Sequence, residues 1–198
     1  LNMSKYDNGA GIDEETFEIR SNNDDINVNL IPVGTDGLNS YFEETVFAHR
    51  GGAMEVNKKA VLQKSAVGDA VFNTIILPRD IKEDFEVTAD VVDTGIDPAV
   101  VNAFSARIKN TKTGKENYYY YYHLNDLSKK QAANVGQFTT DATTMLVETD
   151  LDGNITSTFL MDATFLKDNT IDEEGQYLFK LKEGSEPVSA IAYEKNGQ

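Results

Sequence analysis

The apolar residues of this chain recur at every second position, not at every third or fourth. Ile26, Val28 and Leu30 alternate with Asn27 and Asn29. Phe85, Val87, Ala89 and Val91 alternate with Glu86, Thr88 and Asp90, and Phe104, Ala106 and Ile108 alternate with Ser105, Arg107 and Lys109. Farther on, Ile155, Ser157, Phe159, Met161, Ala163 and Phe165 share one side of a long run. Thr156, Thr158, Asp162 and Thr164 take the other side, with Leu160 its one apolar exception. Tyr177, Phe179 and Leu181 repeat the pattern. Successive strand side chains point to opposite faces, so period two marks strands with one face packed and the other wet. β-Branched and aromatic residues, which suit a pleated surface, fill these runs.

Turn signals separate the runs: Gly34-Thr35-Asp36-Gly37, Gly51-Gly52, Asp93-Thr94-Gly95, Lys112-Thr113-Gly114 and Asp152-Gly153. About a dozen candidate strands are too many for one open sheet, which splits or curls near ~10 strands. The expected fold is therefore all-β, an antiparallel two-sheet β-sandwich with at most one or two short helices. Asp13-Glu14-Glu15 suits a single helical turn. Asn125 to Asn134, with Asp126 or Ser128 as N-cap, suits a short helix, and neither segment carries an apolar stripe. Residues 1–15 are polar and read as a flexible tail or inherited linker, leaving 16–198 as a single domain. The chain opens at Leu1, not at Met, and is read as a piece of a longer protein.

Charge narrows the partners. Acidic side chains number 33 against 18 basic ones, a formal charge of −15. Phosphate backbones and anionic membranes are held by Lys and Arg, so neither nucleic acid nor a membrane surface is an expected partner. Cysteine is absent, which removes disulfides, thiolate metal sites and thiol nucleophiles. No apolar run approaches the ~18–20 residues of a membrane-spanning helix, and neither a phosphate loop nor a dinucleotide fingerprint is present.

Three segments offer chemistry. His49 precedes Arg50-Gly51-Gly52; a general base beside a cation is the functional reading, and a surface turn residue is the better one. Tyr118 to Tyr122 is an unbroken run of five tyrosines followed by His123. On a strand, Tyr118, Tyr120 and Tyr122 share one face. The simplest reading is a central strand covered on both faces, with rings buried and hydroxyls at the boundary. The functional readings are a Tyr/His acid–base pair and a sugar-stacking platform, for which the candidate carbohydrate-binding residues are Tyr118, Tyr120, Tyr122 and His123. Asp150-Leu151-Asp152-Gly153-Asn154 opens like a calcium loop, but Ile155 and Met161 stand where an EF-hand needs Gly and Glu. A hairpin turn is the better reading. No cofactor is expected beyond a structural divalent cation, which a chain this acidic allows. The acid clusters Asp13-Glu14-Glu15, Glu43-Glu44, Glu83-Asp84 and Asp172-Glu173-Glu174 read as solvated turns that discourage edge pairing.

Several phrases taken in order carry a family resemblance. They are Phe17-Glu18-Ile19, Ile26 to Pro32, Ser40-Tyr41-Phe42, Ala60 to Lys64 and Ala70 to Pro78, followed by Phe138-Thr139-Thr140-Asp141-Ala142 and Asp152-Gly153-Asn154 leading to Leu160 to Leu166. This order, over roughly residues 16 to 182, resembles the C-terminal β-sandwich portion of heparinase II/III-like polysaccharide lyases. Ala163 stands where the pattern expects Gly. The resemblance implies a parent with a helical toroid and stacked antiparallel sheets, cleaving uronate glycans by β-elimination. No motif here matches that family's catalytic residues, so none is carried over.

The expectation is thus a non-catalytic C-terminal β-domain supporting the catalytic domain or its cleft in a larger carbohydrate-active protein. Its partners would be that catalytic domain and a polysaccharide, and the parent would be secreted, periplasmic or at the cell surface. The alternatives are a free-standing carbohydrate-binding module and a structural assembly domain.

Overall fold

The computed structural model describes residues 2–3, 11–21, 26–48, 52, 54–65, 67, 71–80, 82–171 and 176–193. Strands dominate. The expected helix over Asn125–Asn134 is reduced to a three-residue 3-10 turn, Leu127–Lys129, capped where the Asp126 carboxylate accepts the Ser128 N–H. Without an apolar stripe to bury, that segment has no packing to sustain more turns. The fold is all-β and antiparallel throughout.

Contacts group into two compact units, Leu1–Asp84 and Phe85–Gln198. The sequence carries no composition shift at that point and reads as one domain over 16–198. In the first unit, β1 (Asn2–Met3), β6 (Met54–Lys64) and β5 (Leu38–Ala48) form a sheet in the order β1-β6-β5. A second sheet runs β2-β3-β4-β7, from β2 (Gly11–Ile12), β3 (Ile19–Arg20), β4 (Ile26–Val33) and β7 (Asn73–Asp80). Two short stretches of the expected tail, Asn2–Met3 and Gly11–Ile12, are therefore paired strand. Asp13-Glu14-Glu15 forms a turn, not a helix, with the Asp13 carboxylate accepting the Glu15 and Thr16 N–H groups. The Asn side of β4 is the buried one: Ile26 is 68% exposed, while Asn27 and Asn29 are sealed in. Ser21 Oγ donates to Asn27 Oδ1 and Arg79 Nε donates to Asn29 Oδ1, satisfying the two amide oxygens, whereas the buried Asn29 Nδ2 has no partner among the described residues.

The second unit is a sandwich of two sheets. The larger has the order β17-β14-β13-β10-β9-β8, from β8 (Phe85–Val91), β9 (Val101–Asn110), β10 (Glu116–Leu124), β13 (Thr144–Thr149), β14 (Ile155–Ala163) and β17 (Val188–Tyr193). The smaller is β11-β12-β15-β16, from β11 (Ala133–Val135), β12 (Phe138–Thr140), β15 (Phe165–Asp168) and β16 (Gln176–Lys180). Val101, Ala103, Tyr122, Leu124, Met145, Val147 and Leu160 from the first meet Ala133, Val135, Phe138 and Leu166 from the second in one core.

The run read as a single strand from Ile155 to Phe165 divides between the two sheets. Asp162 adopts φ 55° and the β14–β17 register slips between Leu160 and Ala163, so the strand bends out of one sheet and continues in the other as β15. Lys130 Nζ holds the bend by donating to both the Asp162 carbonyl and its carboxylate. Across the bend, the Asp141 carboxylate accepts the Thr164 and Phe165 N–H groups and the Thr164 hydroxyl. The facing of β14 ahead of the bend also differs from the expectation. Leu160, the expected exception, is the buried residue, and Met161 on the opposite face is exposed.

Candidate functional site

Registers in the larger sheet set two rows of three residues across β8, β9 and β10, and a third row of two across β9 and β10. Thr88 pairs with Arg107 and Arg107 with Tyr118; Asp90 pairs with Ser105 and Ser105 with Tyr120; one row deeper, Ala103 pairs with Tyr122. Directly opposed residues point to the same face, so all three rows lie on the face that meets the smaller sheet. The rows differ in cover. Tyr122 is 0% exposed, and its hydroxyl has no hydrogen-bond partner among the described residues. Tyr120 packs edge-on against Phe138 at 5.1 Å between centroids, with Gly136 beneath its ring. Beyond Tyr120, Thr88 and Asp90 are exposed and Ser105, Arg107 and Tyr118 are half-buried. There the smaller sheet no longer covers the larger one. The uncovered strip forms a hollow of about 220 Å³ lined by Thr88, Asp90, Ser105, Arg107, Tyr118 and Tyr120.

Hydrogen bonds fix the walls of this groove. Arg107 grips Glu116 with two parallel bonds, Nε to Oε1 at 2.6 Å and Nη2 to Oε2 at 2.8 Å. The Tyr118 hydroxyl donates to the same Oε1 at 2.8 Å. Tyr120 is held from its far end: its hydroxyl donates to Gln137 Oε1, Gln137 Nε2 donates to the buried Asp168, and Thr170 donates to Asp168 through both N–H and hydroxyl. The two rings are thus pinned while Asp90, Ser105 and Thr88 face outward beside them.

The guanidinium and the Tyr118 hydroxyl, both donating to the Glu116 carboxylate, hold its pKa near about 2. The same contact raises the Tyr118 hydroxyl above its ordinary 10.0, because ionising it would place two anions side by side. The consequence for stability has a definite sign. The Glu116 contribution is complete above the ordinary value of 4.5 and disappears as pH falls through about 2. The Tyr118 contribution is complete below 10.0 and is lost above it. The stability difference between the native chain and Glu116→Gln, measured by urea unfolding, is therefore expected to be constant from about pH 5 to 9. It should shrink steadily below pH 4.5. A difference that grows on acidification would contradict this assignment.

The four candidate residues do not act together. Tyr118 and Tyr120 line the groove, whereas Tyr122 lies in the core and presents no ring face, so the expected three-ring platform is reduced to two. Its position over the core, not its residue type, removes it. His123 points to the opposite face, where Nδ1 lies 2.9 Å from Thr144 Oγ1. It makes no pair with Tyr118, Tyr120 or Tyr122, as alternation on a strand requires. On that outer face Tyr121 packs against Phe104 at 5.0 Å, and Asn117 and Tyr119 donate to Glu148. His49 lies outside the described residues. Asp150 organises the expected hairpin turn, accepting the Asp152 and Asn154 N–H groups, with Gly153 at φ 85°. Among the described residues no group of three or more His, Asp or Glu side chains is placed to hold a metal ion.

Sequence reasoning missed Arg107, Glu116, Ser105, Thr88 and Asp90 as groove residues. The signal for the first three was within reach. A turn at Lys112-Thr113-Gly114 closes a β9–β10 hairpin whose register sets Arg107 beside Tyr118 and Ser105 beside Tyr120. In comparison with known proteins, no family model matches the chain, and no curated protein does.

Proposed function

We propose that this chain is a non-catalytic β-domain of a larger carbohydrate-active protein, and that it holds a glycan chain against the Tyr118–Tyr120 groove. The observation that carries this reading is the pairing of two pinned tyrosine rings with a polar fringe of Arg107, held by Glu116, and Ser105, Asp90 and Thr88. A pyranose has an apolar C–H face and a rim of hydroxyls, so it is recognised by ring stacking together with convergent donors and acceptors. The hollow of about 220 Å³ suits one sugar ring, below the ~300–1,000 Å³ that encloses a drug-sized ligand. Further sugars of a chain would run on over the surface.

Glu116 and Tyr118 are bound to each other, and Glu116 to Arg107, which favours holding over chemistry at these two groups. A proton-transfer group works best near the operating pH. Glu116 stays ionised to about 2 and Tyr118 resists ionisation beyond 10.0. The order of phrases resembling heparinase II/III-like lyases supports a carbohydrate-active parent working on glycans outside the cytoplasm.

Screening the full chain on a glycan array, with Tyr118→Ala as the comparison, tests the reading. Retention of a glycan, weakened at least about tenfold by Tyr118→Ala and so about 1.4 kcal/mol, is expected. Equal retention by both proteins would remove the groove from the account. Release of unsaturated uronate products, followed by absorbance, would overturn the non-catalytic part.

A further inference from the structure

Resting on that glycan-holding reading, we infer that the groove selects uncharged glycans, and that the Arg107–Glu116 pair is the device that turns uronates away. A uronate-binding site needs a guanidinium or ammonium free to meet the sugar carboxylate, ideally through the two parallel bonds that Arg makes with a carboxylate. Among the described residues Arg107 is the one cation lining the hollow, and its Nε–Nη2 edge is already committed to Glu116 at 2.6 and 2.8 Å. Glu116 therefore occupies the place a uronate carboxylate would take.

The local charge agrees. The hollow is lined by Arg107 and Asp90, Glu116 lies directly behind the guanidinium, and Lys109 and Glu86 share this face one row out, so two positive charges face three negative ones. Asp90 is exposed on the edge strand β8. An arriving carboxylate meets the exposed Asp90, and at Arg107 it reaches only the N–H groups that Glu116 leaves unused, without the Nε–Nη2 pair. Sugar hydroxyls face no such obstacle. They can donate to Asp90, exchange hydrogen bonds with Ser105 and Thr88, and accept from an Arg107 N–H not used by Glu116.

The same geometry makes the selectivity reversible by one substitution. Glu116→Gln keeps the shape of the side chain and removes its charge, which releases the guanidinium for a carboxylate on the ligand. Asp90→Asn removes the second negative charge without touching the Arg107 pair.

Binding of the full chain to uncharged hexasaccharides (cello-, xylo- and manno-oligomers) and to uronate hexasaccharides (galacturonate and mannuronate oligomers) is measured by calorimetry in 50 and 500 mM NaCl. The native chain is expected to bind at least one uncharged oligomer at least tenfold more tightly than either uronate, with less than twofold change between the two salt concentrations. Glu116→Gln and, more weakly, Asp90→Asn are expected to improve uronate binding, and the gain should fade at 500 mM NaCl because it is electrostatic. Uronate binding by the native chain as tight as uncharged binding, and lost in Tyr118→Ala, would overturn the selectivity while leaving the groove a glycan site. Uronate binding unchanged in both carboxylate variants would overturn the pair as the device. Binding of neither class would overturn the glycan reading, and the selectivity with it.

Discussion

Replacing Phe138 by alanine is expected to lower the stability of the Phe85–Gln198 unit by about 3–5 kcal/mol, the range for emptying a buried aromatic site. Phe138 is fully buried on β12, in the core shared by both sheets, and its ring meets Tyr120 edge-on at 5.1 Å. Its neighbours belong to strands pinned in two ladders, so they cannot collapse into the gap without breaking register. A domain of this size has about 5–15 kcal/mol in total, so a loss of this order removes much of the margin. Differential scanning calorimetry with far-UV circular dichroism is the suitable readout, because the chain has no tryptophan to report by fluorescence. A loss under about 1 kcal/mol would mean that Phe138 does not bridge the sheets as described.

The second large effect is expected from Gly136→Ala. Gly136 stands in the two-residue connection between β11 and β12 at φ 61°. A methyl group there would sit 2.5 Å from both Cδ1 and Cε1 of Tyr120. The backbone conformation alone costs an L-residue about 1–2 kcal/mol. Relieving the overlap adds about 1–3 kcal/mol more, because either the hairpin or the ring must move. Gly153→Ala is the natural control: its φ is 85°, but an added Cβ would meet nothing within 4 Å. The difference between the two variants in urea unfolding isolates the steric part. Because the ring that must yield is a wall of the groove, Gly136→Ala should also weaken glycan retention, while Gly153→Ala leaves it unchanged. Equal costs for the two variants would show that Tyr120 is not held against the hairpin.

Local pattern carried a good part of this architecture. Alternation located β8, β9 and β16, and Asp152-Gly153 located the β13–β14 turn, because alternation and tight turns are decided within a few residues. The tyrosine run was legible as a central strand for the same reason. What alternation cannot show is which face meets the second layer, or how far that layer extends. Tyr118 and Tyr122 are the same residue type on the same face, four positions apart. One lines an open groove and the other is sealed under Phe138's sheet, a difference set by strands that follow β10 in the chain. β14 was misread for a related reason. Its apolar side promised a core face, but the bend at Asp162, held by Lys130, Ser189 and the Asp141 clamp, hands the chain to the other sheet. Thr88 and Asp90 reach the groove by pairing across the long 92–100 connection, for which a single sequence has no register signal.

The bend at Asp162 has a consequence for how the Phe85–Gln198 unit can be divided. The chain lays down β8, β9 and β10 in the larger sheet, crosses to the smaller for β11 and β12, and returns for β13 and β14. It crosses again for β15 and β16 and comes back for β17. The two layers are woven from one thread, and no contiguous segment supplies either of them without strands of the other. The unit therefore has no half that a protease could release intact or that recombination could transplant, and the groove travels between proteins only with the entire sandwich beneath it.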